Sequence, residues 1–167
     1  RTIFEMTRHP LLRGKVVLIE EYDMEVGRAL VSGCDVWLNN PIRPHEASGT
    51  SGMKVLVNGG LNVSVLDGWW AEAYNGRNGW AIGRGEVLDE SVQDDADSAT
   101  LYDTLEYDIV PRFYERTNGI PHEWMAMMKH SISTNAWRFA AERMVVDYNS
   151  RAYEPAQTRA GRFLEHH

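Results

Sequence analysis

Residues 33–66 read GCDVWLNNPIRPHEASGTSGMKVLVNGGLNVSVL, and their punctuation decides the fold. Cys34-Asp-Val-Trp-Leu38 is a short apolar run between Gly33 and Asn39-Asn40, as a strand requires. Asn39 to Ser51 then gathers two prolines, a glycine and small polar residues, a composition typical of a loop that carries function. Residues 52–58 have helical character, Gly59-Gly60 stops them, and Leu61-Asn-Val-Ser-Val-Leu66 alternates into a further strand. Strand, loop, helix and strand in this order imply a parallel sheet, because parallel neighbours need a crossover connection and a helix supplies it.

Upstream, Lys15-Val-Val-Leu-Ile-Glu20 is rich in β-branched residues without helical spacing and is predicted as a buried parallel strand. The apolar residues of Met24 to Val31 fall mostly on one helical face, with Gly33 where a C-cap glycine would sit. The fold class is therefore α/β, a partial Rossmann-like parallel sheet. Downstream, WWAEAYNGRNGWAIG (69–83) reads as a loop or short helix over the sheet, with Trp69, Trp70 and Trp80 interior. The acidic stretch Asp94 to Asp97 starts a solvated helix. Leu101, Leu105, Ile109, Val110 and Phe113 recur at helical spacing, Pro121 opens another helix whose methionines pack inward, and a third runs from about Trp137 to Tyr153. The expected organisation is a half Rossmann-like unit over 1–83, a helical segment over 84–163, and Leu-Glu-His-His at 164–167 as a tag remnant on a piece of a longer protein.

A content of 43% hydrophobic and 25% charged residues is that of a globular chain. Seventeen basic against twenty-four acidic residues, a net charge of -7, argue against nucleic acid or an anionic membrane as partner. No apolar run approaches the roughly 18 residues of a bilayer span. A cytoplasmic protein is expected. The single cysteine, Cys34, excludes an internal disulfide framework and a multi-cysteine zinc site, and is expected in the core; no metal site is predicted.

Lys54, one of only three lysines, follows a turn of small residues in Glu46-Ala-Ser-Gly-Thr-Ser-Gly-Met-Lys54. Such a loop at a helix N-terminus presents free backbone N–H groups, which with the helix dipole make an anion site. A lysine on the first turn of that helix suits a second phosphate contact, or a Schiff base with a carbonyl cofactor such as pyridoxal phosphate. The spacing alone also fits a plain surface lysine. The loop is not a nucleotide phosphate loop, because Met53 separates Gly52 from Lys54.

EASGTSGMK, preceded by VVLIEEYDMEVGRALVSGCDVWLNNPIRPH and followed by NGGLNVSVLDGWW, resembles the pyridoxal-phosphate region of the α-glucan (glycogen, starch or maltodextrin) phosphorylases. The double tryptophan and the NNPIRPH loop resemble the bacterial branch. The resemblance runs from about Arg13 through Gly83, and PHEWMAMMKHSIST and AERMVVDYNSRAY extend it more loosely. It implies the second half of the C-terminal domain of a two-domain GT-B architecture. It also implies transfer of glucosyl units from α-1,4-glucan to orthophosphate, giving glucose 1-phosphate, with pyridoxal 5'-phosphate as cofactor. By that resemblance Lys54 carries the cofactor, Thr50 and Ser51 bind its phosphate, Tyr22 lies near it, and Glu46, Ser48 and Gly49 bind a glucosyl unit. Ser51 stands where the animal enzymes have glycine and Gly52 where they have asparagine, changes that keep the backbone donors. The isolated chain is expected to be inactive and to self-associate through an open edge at Lys15 to Glu20. Two alternatives are a nucleotide-sugar glycosyltransferase of the starch-synthase type, which lacks the cofactor lysine, and a carbohydrate-binding module using Trp69, Trp70 and Trp80.

Overall fold

The computed structural model describes residues 2–86 and 89–165; the two terminal histidines of the expected tag remnant lie outside them. The chain forms two compact units that divide between Leu30 and Val31.

The first unit holds α1 (Thr2–Thr7) and most of α2 (Met24–Gly33). Asp23 starts α2 by accepting the Val26 N–H at 2.8 Å, an N-cap bond. Between the two helices the predicted strand does not form. Lys15 N–H and Val16 N–H turn back on the Leu12 carbonyl at 2.9 and 3.1 Å, and residues 17–20 run on without a ladder partner. An apolar run becomes a strand only when another strand meets its N–H and C=O groups, and the described residues of this unit contain none.

The second unit is built on a three-stranded parallel sheet in the order β1 (Val36–Asn39), β2 (Leu61–Val65), β3 (Gly79–Ile82). Val36 pairs with Leu61 and Asn62 with Gly79. The crossover between β1 and β2 is α3 (Thr50–Val57), close to the predicted helix but starting two residues earlier. β2 was expected to alternate; instead all five of its residues are buried, because helices cover both faces. Leu61, Val63 and Val65 pack with Trp80, Ile82, Ile109 and Trp124 on one side. On the other, Asn62 donates to the Gly52 carbonyl in α3 at 3.1 Å. That is how a polar residue survives at the sheet centre.

The segment expected to be irregular contains α4 (Gly68–Ala73) and the strand β3. Trp69, Trp70 and Trp80 are all interior, and the Trp70 indole donates to the Trp80 carbonyl at 3.0 Å. The helical tail comprises α5 (Glu90–Thr104), a π turn at Leu105–Ile109, α6 (Val110–Tyr114), α7 (His122–Asn135), α8 (Ala141–Tyr148), a second π turn at Asn149–Tyr153, and α9 (Glu154–Glu165). Helix α8 begins later than the predicted Trp137. The first π turn ends just before Pro111, whose missing N–H already interrupts the regular ladder. Met127 and Met128 pack against the core, as predicted, whereas Met125 is exposed by 37%. No described helix is long and apolar enough to cross a membrane.

Candidate active site

The loop between β1 and α3 leaves the carboxyl edge of the sheet, where parallel α/β sheets bind ligands. Its last residue, Gly49, adopts φ 83°, a left-handed conformation that glycine takes without strain. The first N–H groups of any α-helix, α3 included, point out of its N-terminal end without an intrahelical acceptor. Gly52 N–H reaches the Gly49 carbonyl at 3.2 Å; among the described residues the N–H groups of Ser48, Gly49, Thr50 and Ser51 have no protein partner. No side chain caps this N-terminus. Free donors at the positive end of a helix dipole suit an anion.

Glu46, Ser48, Gly49, Thr50 and Ser51 line one cleft of about 460 Å³, together with Trp37 and Asn39. Lys54 does not line it. It lies in the second turn of α3, not the first as predicted, because the helix begins at Thr50. Spacings of three and four residues nevertheless put Ser51, Thr50 and Lys54 on one helix face, and that face is solvent-exposed at Lys54. Val55 and Leu56 point the opposite way, into the core. The Glu46 carboxylate has no ion-pair partner among the described residues.

Tyr22 belongs to the first unit, 66% exposed, with its hydroxyl packed over Gly27 of α2. The remaining candidates are all in the second. Cys34, expected in the core, is only half-buried, and partial burial pushes its thiol pKa up. No described cluster of three or more His, Cys, Asp or Glu is placed to hold a metal ion. A larger cleft, about 640 Å³ between the Asn40–His45 stretch and α5, contains none of the predicted site residues.

Sequence reasoning missed the residues that fix the loop. The Glu46 N–H donates to Asp67 Oδ2 at 2.9 Å, and the Trp69 N–H donates to the Ser48 carbonyl at 2.8 Å. Arg43 Nη1 reaches the Leu66 carbonyl at 2.7 Å. Gly52 is required because a Cβ there would stand 2.5 Å from Asn62 Oδ1 and 3.0 Å from the Trp69 indole nitrogen. The available signal was Leu66-Asp67-Gly68 itself, an aspartate before a glycine at a strand end.

Residues 9–76 match the profile of the family described as Carbohydrate phosphorylase, a stretch that contains the whole of this loop and α3. Over those residues the chain is similar to the carbohydrate phosphorylase family. Among curated phosphorylases, a glycogen phosphorylase of Mycobacterium tuberculosis (strain ATCC 25618 / H37Rv) is 48% identical over 88% of this chain and 17% of its own length. A maltodextrin phosphorylase of Thermococcus litoralis is 47% identical over 96% of the chain and 19% of its own length. A glycogen phosphorylase of Aquifex aeolicus is 45% identical over 90% and 22%. The chain thus spans about a fifth of the length of these curated phosphorylases.

Proposed function

We propose that this chain is the cofactor- and sugar-binding part of an α-glucan phosphorylase, which transfers glucosyl units from α-1,4-glucan to orthophosphate to give glucose 1-phosphate. The observation that supports it best is one arrangement: a carboxylate, four free N–H groups and a lysine set around a single loop and the first two turns of α3. The donor set fits pyridoxal 5'-phosphate. Thr50 and Ser51 offer two hydroxyls and two N–H groups to a phosphate at the helix start, and Lys54 on the same face offers an amine to the aldehyde end. The chemistry that this group supplies when bound is proton exchange at its phosphate, next to the substrate phosphate.

This chain's own residues bind and orient. Glu46 accepts a hydrogen bond from a sugar hydroxyl, while Ser48 and Gly49 N–H donate to the same sugar from the rigid turn. Two phosphates side by side repel, and the helix end with Lys54 offsets part of that repulsion. Tyr22 enters through the resemblance alone. A chain that spans about a fifth of its relatives is proposed to have no turnover by itself, since a partial shell does not hold a reactive geometry. A cytoplasmic setting goes with this reading. Self-association goes with it too, supported now by exposed side chains and not by a strand edge: Val17, Leu18 and Ile19 are 76%, 49% and 45% exposed.

Borohydride reduction of the intact, cofactor-loaded protein followed by peptide mapping is expected to find the pyridoxyl group on Lys54. Label on Lys15 or Lys129 would sink the assignment. Glu46→Gln is expected to keep the cofactor and lower glucosyl transfer by about ten- to a hundredfold, the loss of one hydrogen bond to a charged group. The nucleotide-sugar reading does not account for Lys54. A tryptophan-based binding surface is not available, since Trp69, Trp70 and Trp80 are only 6%, 0% and 5% exposed.

A further inference from the structure

The Glu46–Gly49 loop has no secondary structure of its own, so something outside it must set its shape. Two hydrogen bonds to Asp67 and Trp69 do so, and a third steadies Asp67 itself. Asp67 accepts the Glu46 N–H on Oδ2 and the Gly68 N–H on Oδ1, both at 2.9 Å. The Ser48 carbonyl in turn accepts the Trp69 N–H at 2.8 Å. Gly68, at φ 52°, lies directly beneath the loop: a Cβ there would come within 2.5 Å of the Ser48 oxygen and 3.0 Å of Glu46 Cγ. The clamp is anchored from below by Trp69 and Trp70, both buried.

We propose that Asp67, seconded by Gly68, is the positioning residue of this site: it sets the Glu46 carboxylate and the Ser48 and Gly49 N–H groups for the sugar, and leaves the phosphate end to α3. The inference rests on the reading of Glu46 given above. Its selectivity follows from the contacts. Helix α3 is held separately, by the Asn62 bond to the Gly52 carbonyl and by buried Val55 and Leu56. An aspartate accepts with both oxygens, whereas asparagine of nearly the same volume keeps one acceptor and turns an NH2 toward an N–H donor. Asp67→Asn therefore releases one of the two N–H groups and spares the core.

The test uses the intact, cofactor-loaded protein. For Asp67→Asn, amide hydrogen exchange is expected to rise about tenfold at the Glu46 N–H and to stay unchanged over residues 52–57, with full cofactor content and a glucan KM raised about tenfold. Because Asp67 acts through the loop that carries Glu46, the double variant Asp67→Asn/Glu46→Gln is expected to lose less than the product of the two single losses. Losses that simply multiply would overturn the proposal, as would cofactor loss with faster exchange across 52–57, which marks general loosening. Wild-type exchange and KM in Asp67→Asn would overturn it equally. Should Asp67→Asn not fold, Gly68→Ala carries the same test, since its Cβ displaces the loop without altering a charge. If Glu46→Gln alone is silent, the role given to Glu46 fails, while the exchange pattern still judges the clamp.

Discussion

Lys15–Glu20 and Leu61–Val65 are two apolar, β-branched runs of similar length, and only the second is a strand. Leu61 to Val65 has β1 on one side, β3 on the other and helices over both faces, and every residue in it is buried. Val16 to Ile19 has no neighbouring strand among the described residues of its unit, and its side chains are 36–76% exposed. Composition makes a segment suitable for a sheet, but it is the neighbours that satisfy its backbone and cover its side chains. The site depends on the same rule, since the loop that carries Glu46 starts and ends on elements packed around β2.

The sharpest way to break this comparison is to place a charge in each run. Val63→Asp puts an unpaired carboxylate into the fully buried centre of β2 and is expected to remove about 4 kcal/mol or more of stability, measured by urea unfolding with tryptophan fluorescence. Gly52→Ala probes the layer between α3 and β2. Its Cβ would press on the Asn62 and Trp69 side chains, at 2.5 Å and 3.0 Å, so a loss of about 1–3 kcal/mol is expected in the same measurement. Leu18→Lys is the smallest of the three. It is expected to shift unfolding by less than about 0.5 kcal/mol, because the residue gives up little burial, and to lower the scattering mass if the exposed run mediates association. A loss from Leu18→Lys comparable to that from Val63→Asp would erase the distinction between the two runs.

Much of this architecture is legible in the sequence because local signals and tertiary context agree there. Cys34–Leu38, the helix before Gly59-Gly60 and Leu61–Leu66 each carry both a pattern and a stop signal. Strand β3 was missed because Gly79-Trp-Ala-Ile82 is four residues long and starts at a glycine; its pairing with Asn62 to Val65 is a long-range fact with no local signature. Of the site, the residue types are legible at Glu46–Lys54, whereas Asp67 before Gly68 signals only a turn. Its role as a clamp arises from a contact twenty-one residues away, and nothing in a strand-end aspartate distinguishes that from an ordinary helix cap.

The π turn before Pro111 also settles a question of angular phase. Leu101, Leu105, Ile109 and Phe113 are each four residues apart, and in a straight α-helix every such step overshoots a full turn by about 40°, so three steps carry the last side chain about 120° around the axis. A stripe that drifts so far cannot stay on one flat sheet. The wider turn at Leu105–Ile109 winds fewer degrees per residue and takes most of that excess back. Phe113 therefore still faces the core, edge-on to Trp124 at 5.0 Å, as Leu101 does about three turns earlier. The irregular turn acts as a phase corrector, letting a period-four sequence follow the sheet where an ideal helix would spiral away from it.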